Sequence, residues 1–287
     1  PTISGRGISF TQLMNDTRSD LNVRGFYIQD QIEITRYLEI IGGIRHDTFD
    51  IEVDNLASTP NSRFGRVDDL ISPRGGVILK PTDKLSLYGS YSVSYLPFSG
   101  DQFASLDPTT EGFKPQKFTN HEVGAKWDIT PALSFAGAYF WLERENARFN
   151  QGGGQPPIQS GVTEVEGLEL TLTGYVTDKW QVAGSYAHLN SAVVSPILQG
   201  QNTTIAAGTD LPDVPENTFS LWNRYQFNEN WGAGLGVIYR DEIIAALANA
   251  GSQVILPEYT SVDAAVYFKL NDNLRGQINV ENIFNEK

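Results

Sequence analysis

The stretch Lys84–Pro97, KLSLYGSYSVSYLP, decides the fold class. Its odd positions are Leu85, Leu87, Gly89, Tyr91, Val93 and Tyr95, while its even ones include Ser86, Ser90, Ser92 and Ser94. A period of two is the mark of a strand with one apolar and one wet face, because successive side chains point to opposite sides of a sheet. Leu133, Phe135, Gly137, Tyr139 and Trp141 share a face in the same way, as do Trp231, Ala233, Leu235, Val237 and Tyr239, with Gly232, Gly234, Gly236 and Arg240 opposite.

Turn signals on either side of such stretches recur at a near-constant interval. Short ones stand at Thr35-Arg36, Thr82-Asp83-Lys84, Thr130-Pro131, Thr177-Asp178-Lys179, Asn228-Glu229-Asn230 and Asn271-Asp272-Asn273. Measured from Thr35, Thr82, Thr130, Asp178, Glu229 and Asp272, the steps are 47, 48, 48, 51 and 43 residues, one hairpin plus one long connection each. The long connections, rich in Gly, Pro, Asn and Ser, fall at about 54–68, 98–116, 149–160, 193–214 and 242–257. Short and long strictly alternate, which puts the tight turns at one rim and the long loops at the other, the asymmetry of an outer-membrane barrel. Twelve strands result, at about 21–34, 37–53, 70–80, 84–97, 117–129, 132–147, 161–176, 179–192, 216–227, 231–241, 258–270 and 274–284. Most exceed the roughly 9 to 11 residues that cross a bilayer, and the excess is expected on the long-loop side.

The 287 residues are 40% hydrophobic and only 19% charged, with 12 Tyr and 15 Phe, so the chain is too apolar for disorder. Its best apolar runs, Phe135–Leu142 and Ile243–Ala250, are far short of the roughly 18 residues of a membrane-spanning helix. A net charge of −13 leaves no basic stripe to track phosphates and argues against nucleic acid as a partner. With no Cys, thiolate metal sites, disulfides and cysteine nucleophiles are excluded. His46, His121 and His188 lie on different strands without metal-ligand spacing, and Gly232–Gly236 precedes no helix that would hold a phosphate. Carboxylate pairs such as Glu143 with Glu145 or Glu164 with Glu166 read more simply as solvated strand ends than as glycosidase acids.

An amphipathic strand can hide its apolar face in a core or show it to lipid. Trp127, Trp180 and Trp231 fall within about three residues of short turns, and Tyr95, Tyr139, Trp141 and Tyr239 lie at the opposite ends of outward faces. Two such belts are the aromatic girdles of a transmembrane barrel, so the fold class is all-β, an antiparallel transmembrane β-barrel.

Particular strings then resemble the barrel domain of TonB-dependent outer-membrane receptors, especially the siderophore-receptor branch. Gly25–Gln31 (GFYIQDQ) followed by Leu38–Asp47 (LEIIGGIRHD) resembles the family's Y-x-Q-D and G-x-R-x-D hairpin. Ser72-Pro73-Arg74-Gly75-Gly76-Val77 with Lys80-Pro81-Thr82-Asp83, Glu122-Val123-Gly124-Ala125-Lys126, Gly167-Leu168-Glu169-Leu170 with Gly174 and Trp180, and Pro215-Glu216-Asn217-Thr218 are similar to its later hairpins. Val280-Glu281-Asn282-Ile283-Phe284-Asn285 resembles the V-x-N-L-F-N signature of its next-to-last strand. The resemblance implies a twenty-two-stranded barrel with an N-terminal plug. Residues 1–287 would then be a partial barrel domain holding about twelve strands, without the plug or the last strand.

The resemblance further implies an outer-membrane receptor for ferric siderophore uptake in a Gram-negative bacterium, energy-coupled through the TonB–ExbB–ExbD complex acting on the plug. The chain would supply barrel wall and outer ligand-binding loops, take a ferric siderophore as its transported ligand, need no resident cofactor and perform no catalysis. By strand parity Arg74, Lys126, Glu169, Arg224, Arg240, Asp263, Lys269, Arg275 and Glu281 face the lumen and the plug, since a midplane charge turned to lipid costs about 2 to 4 kcal/mol. An anionic, partly planar chelate suits Arg and aromatic residues near outer strand ends, namely Tyr95, Phe98, Phe103, Phe113, Arg144, Arg148, Phe149 and Arg240. Two alternatives stay open. One is another cargo, cobalamin, haem or a glycan. The other is a self-contained twelve-stranded outer-membrane enzyme or translocator, for which His188-Leu189-Asn190-Ser191 is the nearest Ser–His candidate.

Overall fold

Each short turn marked in the sequence closes an antiparallel hairpin, and four of the six do so with the same atom. The Thr35 hydroxyl accepts from Tyr37 N at 3.1 Å, Thr82 from Lys84 N at 3.2 Å, Thr130 from Ala132 N at 3.2 Å and Thr177 from Trp180 N at 3.1 Å. In the other two turns an asparagine does this work: Asn228 Oδ1 accepts from Asn230 N at 2.9 Å, and Asn271 Oδ1 accepts from Asn273 N at 3.0 Å. A side-chain oxygen reaching a backbone N–H two or three residues on satisfies a donor that a two-residue turn leaves unpaired.

The computed structural model describes residues 16–56, 62–97, 111–149, 158–159, 161–195, 197–199, 203–247 and 253–286. The first half of the chain gives β1 (Thr17–Thr35), β2 (Leu38–Asn55), β3 (Ser62–Thr82), β4 (Leu85–Leu96), β5 (Gln116–Thr130), β6 (Leu133–Glu145), β7 (Arg148–Phe149) and β8 (Ile158–Gln159). The second gives β9 (Val162–Thr177), β10 (Trp180–Val193), β11 (Ile197–Gln199), β12 (Thr203–Ile205), β13 (Asn217–Gln226), β14 (Trp231–Arg240), β15 (Ile243–Leu247), β16 (Gln253–Leu256), β17 (Tyr259–Asn271) and β18 (Leu274–Val280). Twelve of them form one antiparallel sheet in the order β1-β2-β3-β4-β5-β6-β9-β10-β13-β14-β17-β18. They correspond one for one to the twelve strands read from the sequence. The remaining six pair as small hairpins, β7 with β8, β11 with β12 and β15 with β16, inside connections expected to be plain loops.

Register carries one face unbroken across the sheet. Leu87 sits opposite Ala125, Val123 opposite Tyr139, Tyr139 opposite Leu168, Tyr186 opposite Phe219, Phe219 opposite Tyr239, and Leu235 opposite Ala264. That face is apolar and stays open to its surroundings: Phe26 is 73% and Ile278 62% exposed. Only lipid makes such a surface favourable at this extent. Trp127, Trp180 and Trp231 lie on it beside the short turns, and Tyr139, Trp141 and Tyr239 at its other end, as the two girdles require.

Strand boundaries differ from expectation at the two ends of the sheet. The connection expected at 54–68 is largely strand, since β2 runs to Asn55 and β3 starts at Ser62. Beyond Phe26, His46 and Ile71 the outward positions turn polar, with Thr48, Asp50, Glu52 and Asp54 on β2. β1–β3 therefore continue about nine residues past the bilayer, about 30 Å at roughly 3.3 Å per residue. There Ile51 and Val53 are 1% exposed and pack with Leu21, Phe64 and Phe113. At the other end of the sheet β18 stops at Val280, short of the expected 284. The chain turns there through Asn282 and Asn285 at φ 48° and 54°, a left-handed conformation that asparagine tolerates. Asn282 Oδ1 accepts from Glu286 N at 2.9 Å, and Asn285 N donates to Asn282 O at 2.9 Å, so the asparagines of the V-x-N-x-F-N string build a turn.

Candidate functional site on the polar face and outer rim

The opposite face of the sheet is polar, and its charges are organised by the strand period. Arg45 and Asp47, two residues apart on β2, point the same way, and Arg45 Nε and Nη2 both donate to the Asp47 carboxylate at 2.6 Å. Gly25 lies across from this pair, where a Cβ would collide with both side chains. At the short-turn end Glu39 accepts from Gln31 at 2.8 Å and pairs with Lys80. On the next strands Tyr88 donates to Glu122 at 2.6 Å, over Gly124, with Lys126 Nζ 5.9 Å from the Tyr88 ring centroid.

Further round, Trp222 covers Gly234 and Gly236, which leaves no room for a Cβ at either position. Arg224 stacks on Tyr267 at 4.3 Å and Arg240 on Tyr259 at 4.9 Å. Asp263 accepts from Asn282 N at 2.7 Å, and Lys269 pairs with Asp272 at 2.6 Å. Arg74 lies opposite Gly43 and Ser92, Glu169 between Ala138 and Ala187, and Arg275 opposite Lys269. Every charged residue assigned to this face by parity and lying within a strand is on it; Glu281 follows directly after β18.

The residues expected near the ligand do not converge on one spot. Tyr95 stands on the apolar face opposite Lys117, which pairs with Glu145 at 2.6 Å. Phe113 packs on the Ile51 and Val53 cluster, and its carbonyl accepts from Arg66. Arg144 donates to Gln116 at 2.7 Å, its guanidinium 5.7 Å from the Phe118 ring, on the polar face. Arg148 and Phe149 form β7, opposite Gln159 and Ile158. Arg240 is four sheet neighbours away from β6. Phe98 and Phe103 lie outside the described residues.

What joins the first of these regions is a set of side chains the sequence did not advertise. Arg66 salt-bridges Asp68 at 2.6 Å and donates to Glu111 O at 2.9 Å, so the end of the β4–β5 connection is docked on the extended β3. Gln159 Oε1 accepts from Lys114 N at 2.6 Å while its amide donates to Asn146 O at 3.0 Å, and Asn146 donates to Pro115 O at 3.1 Å. Arg45 with Asp47 and Arg66 with Asp68 share a legible signal, opposite charges two apart in a strand.

A second assembly crosses the outer rim of β10–β17. Tyr186 donates to Asn217 Oδ1 at 2.8 Å, His188 Nδ1 lies 3.0 Å from the same oxygen, and Asn217 Nδ2 donates to Asp241 at 2.7 Å. Tyr239 donates to Asp241 and, at 3.0 Å, to Glu258. The Tyr239 hydrogen bond, followed by that of Asn217, holds the Asp241 carboxyl below the ordinary aspartate range. Beside it is a recess of about 370 Å³ whose lining includes Asp210, Glu216, Asp241, Glu242, Glu258, Ile243 and Ile255. Ser191 accepts from Leu211 N at 3.1 Å on the other face of β10 from His188, so no Ser–His pair forms here.

Charge is partitioned along the strands. The segments 29–43, 76–90, 124–138, 171–185, 222–236 and 265–279 around the short turns hold eight Lys or Arg (36, 80, 84, 126, 179, 224, 269, 275) and eight Asp or Glu (30, 33, 39, 83, 128, 178, 229, 272). They cancel, so the net −13 belongs wholly to the rest of the sequence, which leads to and through the long connections.

Residues 3–283 match the family described as TonB dependent receptor-like, beta-barrel. A probable TonB-dependent siderophore receptor, PiuA, of Acinetobacter baumannii is 28% identical over 274 residues, which cover 91% of this chain and 36% of that protein. The catecholate siderophore receptor Fiu of Escherichia coli (strain K12) is 28% identical over 302 residues, covering 93% and 39%. The crystal structure of the A. baumannii PiuA receptor superimposes with a TM-score of 0.83 at 27% identity, covering 94% of this chain and 40% of that one. The chain thus spans little more than a third of the length of these relatives.

Proposed function

The chain belongs to the TonB-dependent receptor β-barrel family of the Gram-negative outer membrane, and from that premise we propose that residues 1–287 are a stretch of barrel wall and outer loops in a receptor for ferric siderophores. The observation that carries the reading is the division of the sheet into one continuous apolar face and one polar face of paired and stacked charges. A wall needs the first toward lipid, and a conduit needs the second toward its contents. That PiuA and Fiu are named as siderophore receptors supports iron chelates as the cargo class. On this reading β1 and β18, the two ends of the sheet order, pair with further strands of the same barrel. The polar face surrounds a plug, TonB with ExbB and ExbD supplies the energy, and the chain binds and conducts its ligand unchanged, with no cofactor of its own.

The test is a titration of the purified receptor with ferric catecholate and ferric hydroxamate chelates, followed by tryptophan fluorescence, beside iron-limited growth of a deletion strain carrying the gene. Saturable quenching by one chelate class and rescued growth are expected. Binding of cobalamin, haem or a glycan in their place, with no response to any ferric chelate, would replace the cargo. Truncation of 98–116, part of which lies outside the described residues, is expected to weaken binding.

A further inference from the structure

Residues 111–115 lead into β5 and belong to no strand, so side chains from elsewhere must fix them. On one flank stands Arg66 of β3. Its Nε and Nη2 donate to Asp68 Oδ1 at 2.7 and 2.6 Å, and its Nη1 donates to Glu111 O at 2.9 Å and to Phe113 O. The Arg66 side chain is 14% and the Asp68 side chain 5% exposed, so water competes little for these bonds. Phe113 adds its own side chain to the Ile51 and Val53 cluster. On the other flank stands Gln159, in the connection between β6 and β9. Its Oε1 accepts from Lys114 N at 2.6 Å and its Nε2 donates to Lys114 O, the two bonds that a neighbouring antiparallel strand would make. The same amide donates to Asn146 O at 3.0 Å, and Asn146, at φ 58°, donates to Pro115 O at 3.1 Å.

We propose that Arg66 and Gln159 are positioning residues for ligand capture, a clasp that holds 111–115 from both flanks. The clasp makes the outer end of β3, the end of the β4–β5 connection and the β6–β9 connection one preformed surface. The proposal rests on reading this rim as ligand-binding, and it adds which side chains set the shape of the rim by acting through 111–115. A planar fork suits Arg66 to the role, because one guanidinium meets a carboxylate and two carbonyls at once, which the single ammonium of a lysine does not span. Such pre-organisation acts on capture. A receptor whose binding-competent form is only partly populated associates more slowly, whereas the complex, once formed, is held by the same contacts.

The experiment uses the whole receptor in outer-membrane vesicles. Hydrogen exchange read by mass spectrometry follows the ligand-free protein, and stopped-flow tryptophan fluorescence with ferric catecholate and ferric hydroxamate chelates follows capture. In Arg66→Gln, exchange should speed up over 111–116 and around Asn146 and Gln159, with β13–β18 unchanged. The association rate constant should fall about 3- to 10-fold while the dissociation rate constant stays within about twofold, since a competent fraction of roughly a tenth to a third scales association alone. Gln159→Ala should act in the same direction, and the double variant should be no slower than the slower single one, because both act through one segment. Arg66→Lys, which keeps the charge beside Asp68, should behave as Arg66→Gln. Faster dissociation with association unchanged would make Arg66 a ligand contact and overturn the proposal. So would additive losses in the double variant, full activity of Arg66→Lys, or loosened exchange with both rate constants unchanged. Fewer binding sites at unchanged rate constants would mark a merely structural role and overturn it too, as would unchanged exchange at 111–116 in both single variants. A receptor that binds neither chelate removes the cargo and leaves the clasp to be judged by the exchange result, with the rates read on the cobalamin, haem or glycan that binds instead.

Discussion

The two ends of the sheet use the same period-two pattern for different purposes. β1, β2 and β3 have 19, 18 and 21 residues, and their outer parts rise beyond the bilayer, where Ile51 and Val53 are buried and Arg66 docks a neighbouring connection. β13 and β14 have 10 residues each, end near the outer girdle, and fill their polar face with glycine, a covering Trp222 and stacked arginines. Where water lies on both sides, a sheet must bury apolar groups against its own chain to be stable. Where lipid covers one side, the apolar face needs no protein partner, and side-chain packing is free to shape the interior.

The largest test of this contrast is Ile51→Ala. Removing a fully buried side chain from the extension should cost about 2 to 5 kcal/mol, read as faster amide exchange in the outer parts of β1–β3 with β13–β18 unchanged; equal loosening at both ends would break the comparison. Next come two arginines on outward positions. Leu235→Arg, 56% exposed and midway along β14, should cost about 2 to 4 kcal/mol because it faces hydrocarbon. Val67→Arg, 58% exposed on the extension, should lie within about 0.5 kcal/mol of wild type because it faces water. Urea unfolding in lipid vesicles measures both, and similar costs would place the bilayer boundary elsewhere.

A smaller effect separates the glycines. Gly234→Ala should cost about 1 to 3 kcal/mol, since the new methyl meets the Trp222 ring. Gly65→Ala on β3, whose Cβ would find its nearest neighbour at 3.7 Å, should be neutral or stabilising by up to about 1 kcal/mol. The smallest effect is pH-dependent. Because hydrogen bonding depresses the Asp241 carboxyl in the folded protein, its contribution is present above the ordinary aspartate value near 4 and is lost as pH falls through the depressed one. Amide exchange at Asp241, whose N–H bonds Asn217 O at 2.9 Å, should therefore speed up below about pH 4 in wild type. Asp241→Asn should remove that pH dependence.

Much of the sheet was legible because its punctuation is chemical. Thr35, Thr82, Thr130 and Thr177 mark turns in the sequence by residue type and close them in the structure through their hydroxyls. The extension of β3 was not legible. Arg63–Leu70 puts charges on both faces, and what holds it as strand lies elsewhere in the chain: Arg63 pairs with Glu52 and Asp54, and Arg66 reaches Glu111. The short hairpins β7–β8, β11–β12 and β15–β16 escaped notice for a related reason, since strands of two to five residues carry too few alternations to register as a period.

Among candidate binding residues within the sheet, parity gives the face on which each stands, because the side-chain direction in a strand follows from its number alone. It could not say which residues meet, which is why Phe113 turns out to be engaged with Ile51 and Val53, and Arg240 lies far from Arg144. By itself the sequence determined strand number, hairpin order and the lipid-facing side, all of which depend on local period and turn chemistry, while the family was legible from the resemblance of particular strings. The tertiary structure alone decided how far β1–β3 rise, which glycines lie under aromatic rings, and that Arg66 reaches Glu111. Those outcomes depend on register between strands, and register is a relation between distant segments that no single stretch contains.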